Sequence, residues 1–291
     1  MKLGERPLPG VEGHRRDAGR QDVVQVLEQD RLIERVRQLC SEDTRLDAAL
    51  MYGSFTQGQA DVWSDIEFWL FFADDSLADV DPDSWCTAVG PTLLTVQNEF
   101  GTHVAIFESL IRGEFHFVPA SAIDAVGEWP ARGAPVDRML VTDRSGRLRR
   151  VLQDLPETRD PPRSAAAVEQ LCGRFVNWLL LGDSVWRRGE IARAHAVLVE
   201  VHRHLLWLVR LIEQCELRPT PSRLAERELS AAALERYART TAPADPSALA
   251  NAYHEAWAWG QEMWLGLAEA RGFEPPAALL AAIEARMASR T

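Results

Sequence analysis

The chain has 291 residues, 46% of them hydrophobic, and its 43 acids against 32 bases give a formal net charge of −11. That length fits two domains of ordinary size, each with a real core. An acidic balance lacks the basic face of a long nucleic-acid footprint, which argues against a template-using polymerase or RNA-tailing enzyme and for a small-molecule acceptor.

Lys2 is the only lysine. No Walker-type lysine stands in the body of the chain, so a P-loop NTPase is excluded, and contact with a triphosphate falls to Arg, backbone N–H or a metal. The four cysteines, Cys40, Cys86, Cys172 and Cys215, are far apart and lack metal-ligand spacing. They read as reduced thiols of a cytoplasmic protein. No apolar run approaches the roughly 18 residues of a membrane span, and no signal peptide is visible.

Residues 1–20 mix glycines, prolines and charges and read as a flexible extension. Over residues 22–39, Val24, Leu27, Leu32, Ile33 and Val36 recur at helical spacing. A short apolar strand over 48–52 then ends at Gly53-Ser54. A polar connector with Gly58 leads into a second, very apolar strand that opens with Asp65 and Glu67. Strand side chains alternate, so Asp65 and Glu67 share one face while Ile66, Phe68 and Leu70 point to the other. Two carboxylates held that close repel unless a cation sits between them, and a divalent metal is the simplest use for them. Gly53 lets backbone approach a ligand, and Ser54 offers a hydroxyl and an N–H at a helical turn where phosphate is favoured.

Asp81-Pro82 predicts a helix start, with the helix running to about residue 96. Residues 101–107 and 114–117 read as two strands of a hairpin joined by a turn at 109–113. Residues 121–129 read as a short helix, 139–142 as an edge strand and 146–155 as a further helix. Three prolines within 156–162 mark a domain boundary. Beyond it the pattern is helical. One stripe runs through Leu171, Phe175, Trp178, Leu179, Gly182 and Trp186. After a turn at Arg188-Gly189 a second runs through Ile191, Ala194, Leu198, Val201, Leu205, Leu208 and Ile212, which makes an αα-hairpin. Two more helices follow, over 246–271 and 275–289. The predicted organisation is therefore an extension (1–20), an α/β (α+β) domain with a mixed sheet (21–156) and an all-α helical bundle (163–291).

A third acid should come from a neighbouring strand, and Glu114 is the best placed. Glu108 and Glu99 stand behind it. His116 shares the face of Glu114 and could orient an acceptor. Phe115, Trp85, Tyr253 and Trp257 suit a partly apolar acceptor pocket. Arg188, Glu190 and Arg193 cluster at the hairpin turn, where guanidinium groups could reach phosphates.

Gly-Ser followed by Asp-x-Glu on a strand resembles the signature of the polymerase-β-like nucleotidyltransferase superfamily. Three runs, Met51-Tyr52-Gly53-Ser54-Phe55-Thr56, Ser64-Asp65-Ile66-Glu67-Phe68 and Ile111-Arg112-Gly113-Glu114-Phe115-His116-Phe117, are similar to lincosamide nucleotidyltransferases of the two-domain type. So are the Arg188-to-Ala194 turn, Tyr237-Ala238-Arg239-Thr240-Thr241 and Ala252-Tyr253-His254-Glu255. The resemblance runs from about Gln21 to the end. It implies Mg²⁺-dependent transfer of AMP from ATP to a hydroxyl of a lincosamide antibiotic, with pyrophosphate leaving. By the same resemblance Asp65 and Glu67 bind Mg²⁺ and Glu114 is the general base. By it too Ser54 holds the triphosphate; Gly53, Thr56, Ser64 and Arg193 are the further candidates for nucleotide binding, and His116, Phe115 and Tyr253 those for the acceptor. The family forms homodimers, and neither a nucleic-acid nor a membrane partner is implied. An aminoglycoside or other metabolite as acceptor, and a protein-AMPylating partner of the toxin–antitoxin kind, stay open as alternatives.

Overall fold

A computed structural model describes residues 27–289. The start predicted for the first helix and the extension over 1–20 lie outside the described residues. By the distribution of its contacts the chain forms two compact units, one ending at Leu155 and one beginning at Pro156.

In the first unit, α1 (Glu28–Glu42) buries the stripe Leu32, Ile33, Val36 and Cys40. Then come β1 (Leu46–Tyr52), a single turn α2 (Ser54–Gln57) and β2 (Ile66–Phe72). Helix α3 (Pro82–Val89) is followed by β3 (Thr92–Gln97), β4 (His103–Phe107) and β5 (Arg112–Pro119). A 3₁₀ helix (Ala120–Glu128), α4 (Val136–Met139), β6 (Leu140–Asp143) and α5 (Arg147–Asp154) complete the unit. The six strands make one mixed sheet in the order β3-β4-β5-β2-β1-β6. All neighbours run antiparallel except β2 and β5, which are parallel. β6 lies at the edge, and β4 and β5 pair as the expected hairpin.

One expectation fails here. The helix opening at Pro82 stops at Val89 instead of running to residue 96, and residues 92–97 form the edge strand β3. Gly90-Pro91 is the physical cause: proline lacks an N–H for the helix ladder and disfavours helical backbone in the residue before it.

The sheet has two unlike faces. Ala49, Met51, Ile66, Phe68, Leu70, Phe72 and Phe115 pack under α1 and α3, against Leu32, Val36, Trp85 and Val89. On the other face Ala48, Leu50 and Phe71 pack against Ile123, Val126, Met139, Leu148 and Leu152. That second face is apolar at one end only. At the other end it carries Tyr52, Glu67 and Glu114.

The second unit is helical. Ser164 caps α6 (Ala165–Arg187) by accepting from the Ala167 N–H, and a short turn leads to α7 (Ile191–Ile212). Two helices not read from sequence as such, α8 (Ala225–Glu228) and α9 (Ala231–Arg239), precede α10 (Pro246–Arg271) and α11 (Ala277–Ala288). Asp245 caps α10, and Gly272 ends it in the left-handed region at φ 71°. The bundle core is built from α6, α7 and α10, with Phe175, Tyr253, Trp257 and Trp264 among its buried rings. Among the described residues no helix is long and apolar enough to cross a membrane.

Candidate active site

The site grows out of strand register. β1 ends where β2 and β5 begin. Across those three strands Tyr52 stands beside Glu67, and Glu67 beside Glu114. Neighbouring strands lie about 4.8 Å apart, so two carboxylates project side by side from one face. Asp65 sits one residue before β2 begins and adds a third. Carboxylates paired directly across strands repel each other. Their field shows on Tyr52: burial, then Glu67, Glu114 and Asp65, push its phenol well above the usual range. The hydroxyl therefore keeps its proton at all ordinary pH.

A guanidinium stands among these acids. Arg112, at the start of β5, directs Nη1 to Asp65 Oδ2 at 3.3 Å and Nη2 to Glu114 Oε1. Sequence reading passed over this arginine, although it shares the face of Glu114 two residues on.

Gly53 is what lets the acids approach the β1 turn. Its φ of 79° lies in the left-handed region, and a Cβ built on it would fall 1.5 Å from Glu67 Oε2. Only glycine fits there. Ser54 follows, buried, with an Oγ that finds no hydrogen-bond partner. An orphaned buried hydroxyl costs stability and fits a ligand oxygen. The turn it opens is only four residues long, so the expected helix-terminal field is slight and the hydroxyl itself is the asset. Thr56 is occupied otherwise: its hydroxyl donates to the Gly53 carbonyl at 2.8 Å and closes the turn.

His116 lies one step along the same face. It stacks on Trp69 with ring centres 4.0 Å apart, and its Nε2 is hydrogen-bonded to the Tyr52 hydroxyl at 3.1 Å. Burial holds its pKa below the usual histidine value, so a neutral, clamped imidazole walls the acidic end off from the apolar end. The connector before Asp65 is also fixed. The buried Gln29 amide donates to the carbonyls of Val62 at 3.1 Å and Ser64 at 2.9 Å. Ser64 Oγ accepts from the Asp61 N–H at 3.0 Å. Trp63 stands out from this loop with 90% of its surface exposed.

The structure thus brings together Gly53, Ser54, Asp65, Glu67, Glu114 and His116, with Thr56 and Ser64 in their supporting turns. It does not bring in the other acids considered: Glu99 and Glu108 are exposed in turns beside the β3–β4 hairpin. Two acceptor candidates are corrected. Phe115 is fully buried on the opposite face of the sheet, against Phe68 and Trp85. Alternation along β5 dictates this once Glu114 faces the site. Tyr253 is buried in the helical unit, and its hydroxyl donates to the Ala194 carbonyl at 2.7 Å. Both are packing residues. Arg193, in the first turn of α7, is exposed and pairs with Glu190 at 3.0 Å.

Among the described residues, no group of three or more Asp, Glu, His or Cys is gathered so as to hold a metal ion. Mg²⁺ is often held by one or two carboxylates, with substrate phosphates and water completing its shell. The donors present, two hard oxygen ligands beside an unpartnered hydroxyl, fit that arrangement and do not form an all-protein cage.

Residues 164–285 match the family model described as the lincosamide nucleotidyltransferase-like C-terminal domain. The match lies wholly within the helical unit, which is similar to that domain over most of its length. No curated protein matches the chain. Solved structures that match include an aminoglycoside 6-adenyltransferase from Bacillus subtilis, at 13% identity and TM-score 0.40 over 89% of this chain and 98% of that one. Another is a nucleotidyltransferase-like protein from Exiguobacterium sibiricum 255-15, at 12% identity and TM-score 0.39 over 82% and 76%. Likenesses this loose carry no argument about the present site.

Proposed function

We propose that this protein transfers AMP from ATP to a hydroxyl of a lincosamide antibiotic and releases pyrophosphate. The observation that carries the reading is the lateral register of Glu67 and Glu114 on the parallel pair β2 and β5, beside the orphaned Ser54 hydroxyl. The match of residues 164–285 supports the acceptor class.

Asp65 and Glu67 would hold Mg²⁺, which when bound supplies neutralising charge to the triphosphate. The Ser54 hydroxyl donates to a phosphate oxygen, and Gly53 gives the Glu67 carboxylate room beside it. Glu114 accepts the proton of the acceptor hydroxyl. The new bond joins that oxygen to the α-phosphorus, and the bond from the α-phosphorus to the pyrophosphate oxygen breaks. A sugar hydroxyl is a far weaker acid than a carboxylic acid. Glu114 therefore takes the proton late, as the phosphorus–oxygen bond forms. His116 stays neutral and fixes the wall of the site.

The test is mass spectrometry of lincomycin, clindamycin and kanamycin incubated with the protein, ATP and Mg²⁺. An AMP-sized gain on the lincosamides alone is expected. Glu114→Gln should lower that rate by about 10²–10⁴ with ATP still bound. A gain on kanamycin keeps the reaction and refutes the acceptor. No gain on any of them, from protein that binds ATP, sinks the reading.

A further inference from the structure

Arg112 has no part in the transfer just described, yet it stands between two of the acids that do. The contact is set by the backbone. Ile66 pairs with Gly113, so one step outward Asp65 comes beside Arg112. Arg112 and Glu114 are two apart on β5 and share a face. The two arms of one guanidinium thus reach two acids by different routes. Nη1 spans to Asp65 on the next strand, and Nη2 reaches back to Glu114 on its own.

Without a cation among them, Asp65, Glu67 and Glu114 would repel. An arginine cannot relieve that by titrating, because it stays charged at any ordinary pH. It can only be present or move aside. Moving costs little: the Arg112 side chain is 49% exposed and that of Asp65 33%, and ion pairs so open to water are weak.

We propose that Arg112 is a positioning residue that serves as the internal counter-cation of the site. It spans Asp65 and Glu114 when no divalent cation is bound. It releases Asp65 to the incoming ion and retains Glu114, which holds the base in line for proton transfer. The proposal rests on the reading of Asp65 and Glu67 as cation ligands given above.

A MnCl₂ titration followed by electron paramagnetic resonance of the free ion tests it, on wild type, Arg112→Gln, Arg112→Lys and Asp65→Asn. Removing the competing guanidinium should tighten Mn²⁺ binding about two- to five-fold, the range of one exposed ion pair. Arg112→Lys, which keeps the charge but loses the fork, should fall between. In EDTA, Arg112→Gln should melt below wild type, and added Mn²⁺ should raise its Tm by more. Its kcat should fall even though the ion binds more tightly, a split that general loss of structure does not produce. Unchanged or weaker Mn²⁺ binding by Arg112→Gln, with Asp65→Asn binding none, overturns this proposal and leaves the metal reading standing. No Mn²⁺ binding by wild type, with or without a non-hydrolysable ATP analogue, overturns both. Should Arg112→Gln fail to fold, the wild-type and Arg112→Lys titrations decide the question in the same way.

Discussion

Arg210 in the helical unit and Arg112 in the sheet unit both contact carboxylates, in opposite settings. Arg210 is 0% exposed. Its guanidinium donates to the carbonyls of Glu216, Pro221 and Arg223 and to Glu228. Arg218 joins the same carboxylate, and together they hold Glu228 below the usual range. Nε and both Nη atoms there each end on a fixed acceptor, so the group ties the loop after α7 to the bundle. Arg112 reaches two acids, Asp65 and Glu114, at the open end of a sheet, with its side chain half exposed. The same side chain is structural where its partners are carbonyls, and available where its partners are carboxylates with another use.

The contrast can be broken by substitution. The largest expected effect is kinetic: the loss from Glu114→Gln should come with little change in Tm, because the open end of the sheet contributes little to packing. If that variant melts well below wild type, Glu114 is structural and the comparison fails. Next comes Arg210→Met. It leaves three carbonyls without their donor and Glu228 with Arg218 alone, and losing one partner of a buried pair costs about 3–5 kcal/mol. Urea unfolding should show it, with catalysis per folded molecule unchanged.

Gly182→Ala should cost less. A Cβ there would fall 2.1 Å from the Tyr253 hydroxyl oxygen, so α6 and α10 must part or the bond to Ala194 must break. Overpacking of this kind costs about 1–3 kcal/mol, read again by urea. A smaller loss would mean that Tyr253 can leave the core, and would reopen it as an acceptor contact.

These effects sort by what the sequence could reveal. Gly53, Asp65 and Glu67 were legible because they are local: a glycine turn and a two-residue period on one short segment. Glu114 was legible because a charged residue opens an otherwise apolar strand. The αα-hairpin announced itself through long stripes with a glycine turn between them. What escaped depends on register or on packing. No local signal places Arg112 beside Asp65, 47 residues away; only the parallel pairing of β2 and β5 does. Leu93, Leu94 and Val96 read as the end of a helix because apolar residues on an edge strand need not alternate strictly. Gly90-Pro91 carries the opposite signal, a helix stop ahead of those residues. Phe115 shows the reverse case. The alternation that puts Glu114 in the site removes its neighbour from it, and that inference was available without a structure.

The smallest predicted effect concerns pH and lies in the helical unit. Burial holds His202 and His204 below the ordinary histidine pKa. Each places a ring nitrogen on a backbone carbonyl, His202 Nε2 at 2.8 Å from Thr240 O and His204 Nδ1 at 2.7 Å from Glu200 O. Those bonds, and Glu200 beside His204, favour the charged form. His195 near His202, and Arg174 and Arg203 near His204, oppose it, and desolvation prevails. The sign follows from linkage. Between the depressed folded pKa and the unfolded value near 6.5, the unfolded chain binds more protons, so stability falls as pH falls. The contribution is whole above about 6.5 and shrinks below it, until the folded histidines also protonate. Tm measured from pH 7.5 to 5 should therefore decline, and His202→Gln with His204→Gln should flatten the decline. An equally steep decline in that double variant would move the cause to the sheet unit, where His116 is depressed by burial alone, and would make the acidic face the acid-labile half of the molecule.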